Sequence, residues 1–80
     1  MDVESIIKEI IFEVVKKHGI SKDMITPEKS IVDDLRADSL DVIEMMLTFQ
    51  EKFELSIDEE DISEIRSMGD ICKFVKDRMN

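Results

Sequence analysis

The stretch ADSLDVIEMMLTFQEKF, residues 37–53, contains the helix that decides the fold of this chain. Asp38 fits an N-cap and Asp41 the N3 position of a capping box, so the helix is predicted to run from Ser39 to about Phe53. At about 100° per residue, one apolar stripe falls on a single side of this helix and predicts its core face. That stripe consists of Val42, Met45, Met46, Phe49 and Phe53.

A second apolar stripe, Leu40, Ile43 and Leu47, lies on another side of the same helix. In one interpretation the helix is central and both stripes are buried. In the other, the second stripe is exposed and forms a docking patch with Glu44 and Glu51 at its border. An exposed apolar patch with a charged rim is typical of a partner site. The sequence leaves both interpretations open.

The rest of the chain predicts an all-α fold, a small four-helix bundle of three longer helices and one short helix. The first helix is expected from about Val3 to His18, ahead of a helix-ending Gly19. The short third helix should start after Asp58, and the last helix near Ser67. The 80 residues are expected to form one domain, 1–80.

A long loop, residues 19–37, separates the first two helices, and Pro27 prevents a helix there. Apolar residues recur through it, so we expect the loop to pack onto the core. They are Ile20, Met24, Ile25, Ile31, Val32 and Leu35.

The charge of the chain limits its partners. It has 20 acidic and 11 basic side chains, a net charge of −9, and thirteen acids against three bases within residues 28–64. Nucleic acid and anionic membrane surfaces are therefore disfavoured, whereas a basic protein surface is the natural complement. One cysteine, an acidic N-terminal stretch and no apolar run of membrane-spanning length predict a protein of the cytoplasm, without membrane insertion. We also expect a monomer.

Ser39 is not predicted to be a catalytic nucleophile. A serine hydroxyl needs an adjacent base, and the single histidine, His18, is expected to cap the first helix or to be solvated. No G-x-S-x-G elbow occurs, and residues 58–64 lack the glycine and spacing of a calcium loop. Cys72 lies on the inner stripe of the last helix and is expected to be buried. We therefore expect neither an enzyme nor a metal site, and Ser39 is either a spare polar residue or a handle that another enzyme modifies.

Several motifs resemble the acyl carrier protein family over nearly the whole chain. They are IVDDL at 31–35, Asp38-Ser39-Leu40, the pair Phe53 and Ile57, and GDI at 69–71. The resemblance implies that Ser39, flanked by Asp38 and Leu40, carries 4′-phosphopantetheine transferred from coenzyme A by a phosphopantetheinyl transferase. The thiol of that arm would hold acyl chains as thioesters, shielded inside the bundle.

The same resemblance implies a docking face for fatty acid or polyketide synthase enzymes with basic patches. Its residues are Arg36, Asp41, Ile43, Glu44, Leu47 and Glu51. Arg36 departs from the family, which usually has glycine there, and adds a positive charge beside the attachment site. Two alternatives stay open: a carrier of aminoacyl, D-alanyl or peptidyl cargo, and an unmodified acidic helical adaptor.

Overall fold

Four α-helices form the fold of residues 2–79, the part of the chain that the computed structural model describes. They are α1 (Val3–Val15), α2 (Ser39–Phe53), α3 (Glu59–Glu64) and α4 (Met68–Met79). Within these residues the β-type pairing is an isolated bridge between Ser30 and Ser67. The predicted all-α bundle of three longer helices and one short helix is confirmed, as is the long loop between α1 and α2. Residues 1 and 80 of the predicted domain lie outside the described residues.

The first helix ends earlier than predicted. Its α-helical part stops at Val15, and Lys16–His18 continue as a tighter 3₁₀ turn. Gly19 follows in the left-handed conformation, with φ 81°, and its N–H donates to Lys16 O over 3.0 Å. Helices often tighten in this way at their ends, because the last carbonyls need donors. The turn places Lys17 and His18 against the start of α2.

All four helix starts have the expected caps: Asp2 Oδ1 accepts from the Glu4 N–H at α1, and the other three starts have capping boxes. The Asp38 and Asp41 side chains form a reciprocal capping box at α2, and Asp58 and Asp61 form another at α3. At α4, Ser67 Oγ accepts from the Asp70 N–H, and Asp70 Oδ2 accepts from the Ser67 N–H. Each box satisfies backbone donors that a helix start leaves free, so local sequence alone sets these three boundaries.

The core lies between one face each of α1, α2 and α4. In α2 the predicted stripe is buried at Met45, Met46 and Phe49 and half-buried at Val42 and Phe53. The buried residues of the other two helices are Ile7, Ile11, Val14, Val15, Met68, Ile71, Cys72 and Val75. The bundle therefore uses the first apolar stripe of α2 as its core face.

The long loop packs onto the core, as predicted, through Ile20, Ile25, Ile31 and Leu35, which are all buried. The prediction is wrong for two other apolar loop residues. Met24 and Val32 are 42% and 55% exposed. The loop has no single period, so the sequence does not show which of its apolar side chains turn inward.

Three backbone hydrogen bonds fasten the loop to the connection between α3 and α4. They are Ile31 N–H to Arg66 O (2.9 Å), Met68 N–H to Lys29 O (3.1 Å) and Gly69 N–H to Pro27 O (2.8 Å). We call this pairing the clasp. The clasp fixes the backbone of Arg66 beside Ile31, on the side of the bundle where α2 begins.

We expect Gly19→Ala to lower the free energy of unfolding by about 1 kcal/mol, because a left-handed backbone is strained for residues with a Cβ. No atom lies within 4 Å of a Cβ added at Gly19, so the cost is conformational rather than steric. Urea unfolding followed by circular dichroism measures it. Gly19→Asn is the control and should lose less, since asparagine tolerates this conformation. Equal stability of Gly19→Ala and the parent would contradict the prediction.

Candidate functional site

Ser39 is the first residue of α2 and is exposed. The capping positions on either side of it are filled by Asp38, whose Oδ1 accepts from the Asp41 N–H over 2.8 Å, and by Asp41 itself. Within residues 2–79 the Ser39 hydroxyl takes part in no side-chain hydrogen bond. The cap therefore holds the helix start in place and leaves this oxygen open to solvent.

Asp41 is the one buried charged residue in the described part of the chain, with 2% of its surface exposed. Lys17 Nζ lies 2.7 Å from its Oδ1, and His18 Nε2 lies 2.9 Å from its Oδ2. Asp41 Oδ2 also accepts from the Asp38 N–H over 3.1 Å. These bonds join the end of α1 to the start of α2, directly beside Ser39.

The contacts of Asp41 change the ionisation of the groups involved. Hydrogen bonds from Lys17, and then from His18, hold the pKa of the Asp41 carboxyl well below its usual range, even though burial opposes this. The carboxylate in turn raises the pKa of Lys17. Asp41 therefore stays ionised while buried, as expected of a charge that is paired and hydrogen-bonded.

Two predictions about this cluster need correction. Asp41 does not belong to an exposed docking face, because its carboxylate points into the joint between α1 and α2. His18 is neither a solvated residue nor a helix cap, since its Nε2 contacts Asp41, 23 residues along the chain. Sequence reasoning also missed Lys17. The hint was its position with His18 just before Gly19, but the direction of that turn depends on how α1 packs on α2.

Ser39 lacks the surroundings of an activated nucleophile. The His18 imidazole is engaged with Asp41, and no base within residues 2–79 is hydrogen-bonded to the Ser39 hydroxyl. A serine without an adjacent base is a weak nucleophile. The geometry thus presents an accessible hydroxyl whose activation must come from outside the described residues.

A groove of about 520 Å³ lies beside Ser39, between α2, the loop and the α3 region. This volume is within the range of about 300–1,000 Å³ that is usual for small-ligand sites. Its walls are mainly apolar, with Val42, Ile43 and Met46 of α2 facing Ile62 and Ile65. Its other lining residues are Ser30, Ile31, Val32, Asp33, Ser39 and Arg66. Met46 lines the groove and is also part of the buried core, whereas Met45 and Met68 belong to the core alone.

The second apolar stripe of α2 is exposed. Leu40, Ile43 and Leu47 are 75%, 48% and 57% exposed, so the interpretation with both stripes buried is wrong. Glu44 and Glu51 are exposed as well. We call these five residues the α2 surface. Its combination of apolar side chains and acidic groups suits a partner with an apolar and basic surface.

Arg36, three residues before Ser39, is exposed and has φ 63°. This left-handed conformation costs a residue with a Cβ about 1–2 kcal/mol, whereas glycine adopts it freely. The chain thus accepts backbone strain to hold an arginine at this position. Such strain is a reason to look for a role of the side chain.

Other features of residues 2–79 add no further chemistry to this region. No group of three or more histidine, cysteine, aspartate or glutamate side chains is placed to hold a metal ion. None of the helices is long and apolar enough to cross a membrane. Cys72 is buried as predicted, and burial raises the pKa of its thiol.

Comparisons with known proteins agree on one family. The family model for a phosphopantetheine attachment site matches residues 6–75. An acyl carrier protein of Syntrophobacter fumaroxidans is 40% identical over 75 residues, which are 94% of this chain and 93% of the relative. One from Chlamydia trachomatis is 38% identical over the full length of both chains. A solved structure from Mycobacterium tuberculosis, assigned as an acyl carrier protein, has a TM-score of 0.84 at 25% identity, covering 94% of this chain and 96% of that chain.

This chain belongs to the acyl carrier protein family. The cofactor of these proteins is 4′-phosphopantetheine, which is attached covalently. The residues present fit that group, because an exposed hydroxyl without a hydrogen-bond partner in the described residues lies at the lining of a mainly apolar groove. Members of the family are carriers that phosphopantetheinyl transferases and synthase enzymes recognise.

We expect Asp41→Asn to lower the free energy of unfolding at pH 7 by about 1–3 kcal/mol, because the variant loses charge-assisted hydrogen bonds in a buried site. The pKa of Asp41 is lower in the folded state than its ordinary value of 3.8, so its stabilisation is complete above that value. It declines as the pH falls below 3.8 towards the folded-state pKa. The difference in the free energy of unfolding between the parent and Asp41→Asn should therefore become smaller in acid, as measured by urea unfolding from pH 7 to pH 2.

The exposed Glu51→Gln is the matched control for Asp41→Asn, and it should have little effect at any of these pH values. A destabilisation by Asp41→Asn that stayed constant down to pH 2 would rule out the buried carboxylate as its cause.

Proposed function

We propose that this protein carries acyl intermediates as thioesters on a 4′-phosphopantetheine arm attached to Ser39, in fatty acid or polyketide biosynthesis. The observation that supports this most directly is the exposed Ser39 hydroxyl at the start of α2, without a hydrogen-bond partner in the described residues. Asp38 and Asp41 keep the helix start ordered without using that hydroxyl. An external active site can therefore reach a nucleophile that is held in a fixed position.

The attachment step forms a bond between Ser39 Oγ and the phosphorus of the pantetheine arm of coenzyme A. The phosphoanhydride bond breaks, adenosine 3′,5′-bisphosphate leaves, and the serine proton passes to a base of the transferase. Ser39 has no activating base hydrogen-bonded to it in residues 2–79, which agrees with a reaction in which Ser39 supplies the hydroxyl and the transferase supplies the base. When attached, the arm supplies a terminal thiol that holds acyl groups as thioesters. Asp38 and Leu40 flank the site and define the peptide that the transferase must fit.

The groove beside Ser39 is the proposed place for the acyl chain. Its apolar lining by Val42, Ile43, Met46, Ile62 and Ile65 suits a hydrocarbon. Burying an eight-carbon chain there gains on the order of 5 kcal/mol, at about 0.8 kcal/mol per methylene. Met46 adds a deformable side chain to this wall, which helps one groove accept chains of different length.

The α2 surface is the proposed docking site for the transferase and for synthase enzymes with basic patches. Leu40, Ile43 and Leu47 supply apolar contact area, and Glu44 and Glu51 supply negative charge. Complementary charge accelerates encounters and makes them sensitive to salt. Arg36 stands next to this surface as a positive charge, so we propose that it helps to discriminate among basic partners.

We propose that residues 1–80 act as one non-catalytic, monomeric carrier domain in the cytoplasm. The clustering of acid in residues 28–64 and the absence of an activating base at Ser39 among the described residues support a carrier that enzymes visit. Aminoacyl, D-alanyl or peptidyl cargo, and an unmodified adaptor role, are the outcomes that the next experiment separates.

We expect incubation with coenzyme A and a broad-range phosphopantetheinyl transferase to add one phosphopantetheine mass to the peptide that contains Ser39. Intact mass spectrometry and peptide mapping detect the change. Ser39→Ala should fold with the same circular dichroism spectrum and gain no mass, because Ala keeps the helix start and lacks the oxygen. Ser63→Ala removes another exposed helix serine and should still be modified. An unmodified parent protein would support the adaptor role, and thioesters on the native protein would identify the cargo.

We expect Arg36→Gly to keep the free energy of unfolding within about 0.5 kcal/mol of the parent, because relief of the strained φ is offset by the larger conformational entropy that glycine loses on folding. It should raise the association rate with the transferase by about two- to fivefold at low salt, since a charge that repels the basic partner is removed. Stopped-flow fluorescence at two salt concentrations measures this rate. Glu54→Gly is the control, because Glu54 also has positive φ but lies at the other end of α2. A slower rate for Arg36→Gly would show that Arg36 attracts the partner instead.

A further inference from the structure

We propose that Arg66 binds an anionic group in the groove beside Ser39, either the phosphodiester of the arm or a carboxylate on the cargo. This inference rests on the proposed function and adds a specificity-determining residue to it. Arg66 and Ser39 line the same groove from opposite structural elements, the α3–α4 connection and the start of α2. Arg66 is the one positively charged residue among those that line this mainly apolar groove, whose other polar residues are Ser30, Asp33 and Ser39.

The clasp fixes the position from which Arg66 reaches this groove. The backbone carbonyl of Arg66 accepts from the Ile31 N–H over 2.9 Å, and the backbone N–H of Arg66 donates to Asp70 Oδ2 over 3.0 Å. Both bonds use the backbone, so the side chain is not needed to hold the connection in place. The guanidinium is therefore anchored at its base and remains available for a ligand.

The charges around Arg66 favour an anion as that ligand. In residues 2–79 no carboxylate oxygen lies within 4.0 Å of the Arg66 guanidinium. Other cations, such as Lys29 and Arg36, are unpaired within these residues too, but Arg66 is the one that lines the groove. The guanidinium is planar and presents paired donors that match phosphate and carboxylate oxygens. A chain with net charge −9 repels anions over much of its surface, so Arg66 makes the groove a more favourable place for an anionic group to bind.

Asp33 lines the same groove and limits the size of the effect. Its carboxylate competes for the guanidinium and repels an incoming anion. Arg66 is also exposed, and exposed ion pairs are weak. We therefore expect Arg66 to change selectivity among arms and cargoes by about two- to fivefold rather than to decide whether cargo binds.

The test follows the Arg66 side chain by nitrogen-15 NMR in four states of the full chain. These are the apo protein, the phosphopantetheinylated protein, and that protein loaded with hexanoyl or with glutaryl thioester. A shift of the Arg66 Nε resonance on phosphopantetheinylation assigns the phosphodiester as the anion. A shift that appears with glutaryl but not with hexanoyl cargo assigns the carboxylate. An Nε resonance that is unchanged in all four states overturns the inference.

Variants give a second readout that does not depend on NMR assignment. Arg66→Gln should shorten the hydrolytic half-life of the glutaryl thioester relative to the hexanoyl thioester by about two- to fivefold if a carboxylate is bound. If Arg66 binds the phosphodiester, the phosphorus-31 resonance of the phosphodiester in the modified parent protein should shift when salt is added, because salt weakens the ion pair. Arg66→Gln should remove this salt dependence. Lys52→Gln also removes one exposed positive charge, lies outside the groove lining and the α2 surface, and should do neither.

Failure of this inference and failure of the proposed function give different results. If Ser39 is modified while Arg66 fails both readouts, the attachment proposal stands and the Arg66 proposal falls. If Ser39 cannot be modified, both fall.

Discussion

The buried carboxylate of Asp41 is the interaction on which the site depends. It is held by Lys17 and His18 from the end of α1 and by the Asp38 N–H at the start of α2. Because this one group satisfies the helix cap and ties two helices together, the N-terminus of α2 is fixed without help from its neighbour Ser39. The exposed hydroxyl is thus a consequence of where the cap and the ion pairs are placed.

The two apolar stripes of α2 have different environments, one buried in the core and one exposed to solvent. One stripe, with Met45, Met46 and Phe49, fills the core. The other stripe, with Leu40, Ile43 and Leu47, stays exposed to water. Exposed apolar surface does not stabilise the fold, and a patch of this kind is typical of an interaction site. Ile43 also lines the groove, so the proposed docking site and the proposed cargo site share a wall.

Two arginines flank Ser39 in a chain dominated by acid, and they are held in different ways. Arg36 is held by a strained left-handed backbone in the loop, and Arg66 by the clasp. Arg36 lies three residues before the first residue of α2, whereas Arg66 lines the groove. These different placements suit the separate roles proposed for the two arginines, Arg36 towards partner proteins and Arg66 towards the arm and its cargo.

The sequence by itself determined the helix types, their capped starts and the apolar stripes, because caps and periodicity act over three or four residues. It also indicated Ser39 and the family, through a combination of short motifs spread over nearly the whole chain. Only the tertiary structure decided that Asp41 is buried, that His18 and Lys17 reach it, and that Met24 and Val32 face outward. Those facts depend on how α1, the loop and α2 pack. A contact between residues 23 positions apart, such as His18 with Asp41, has no periodic signature in the chain.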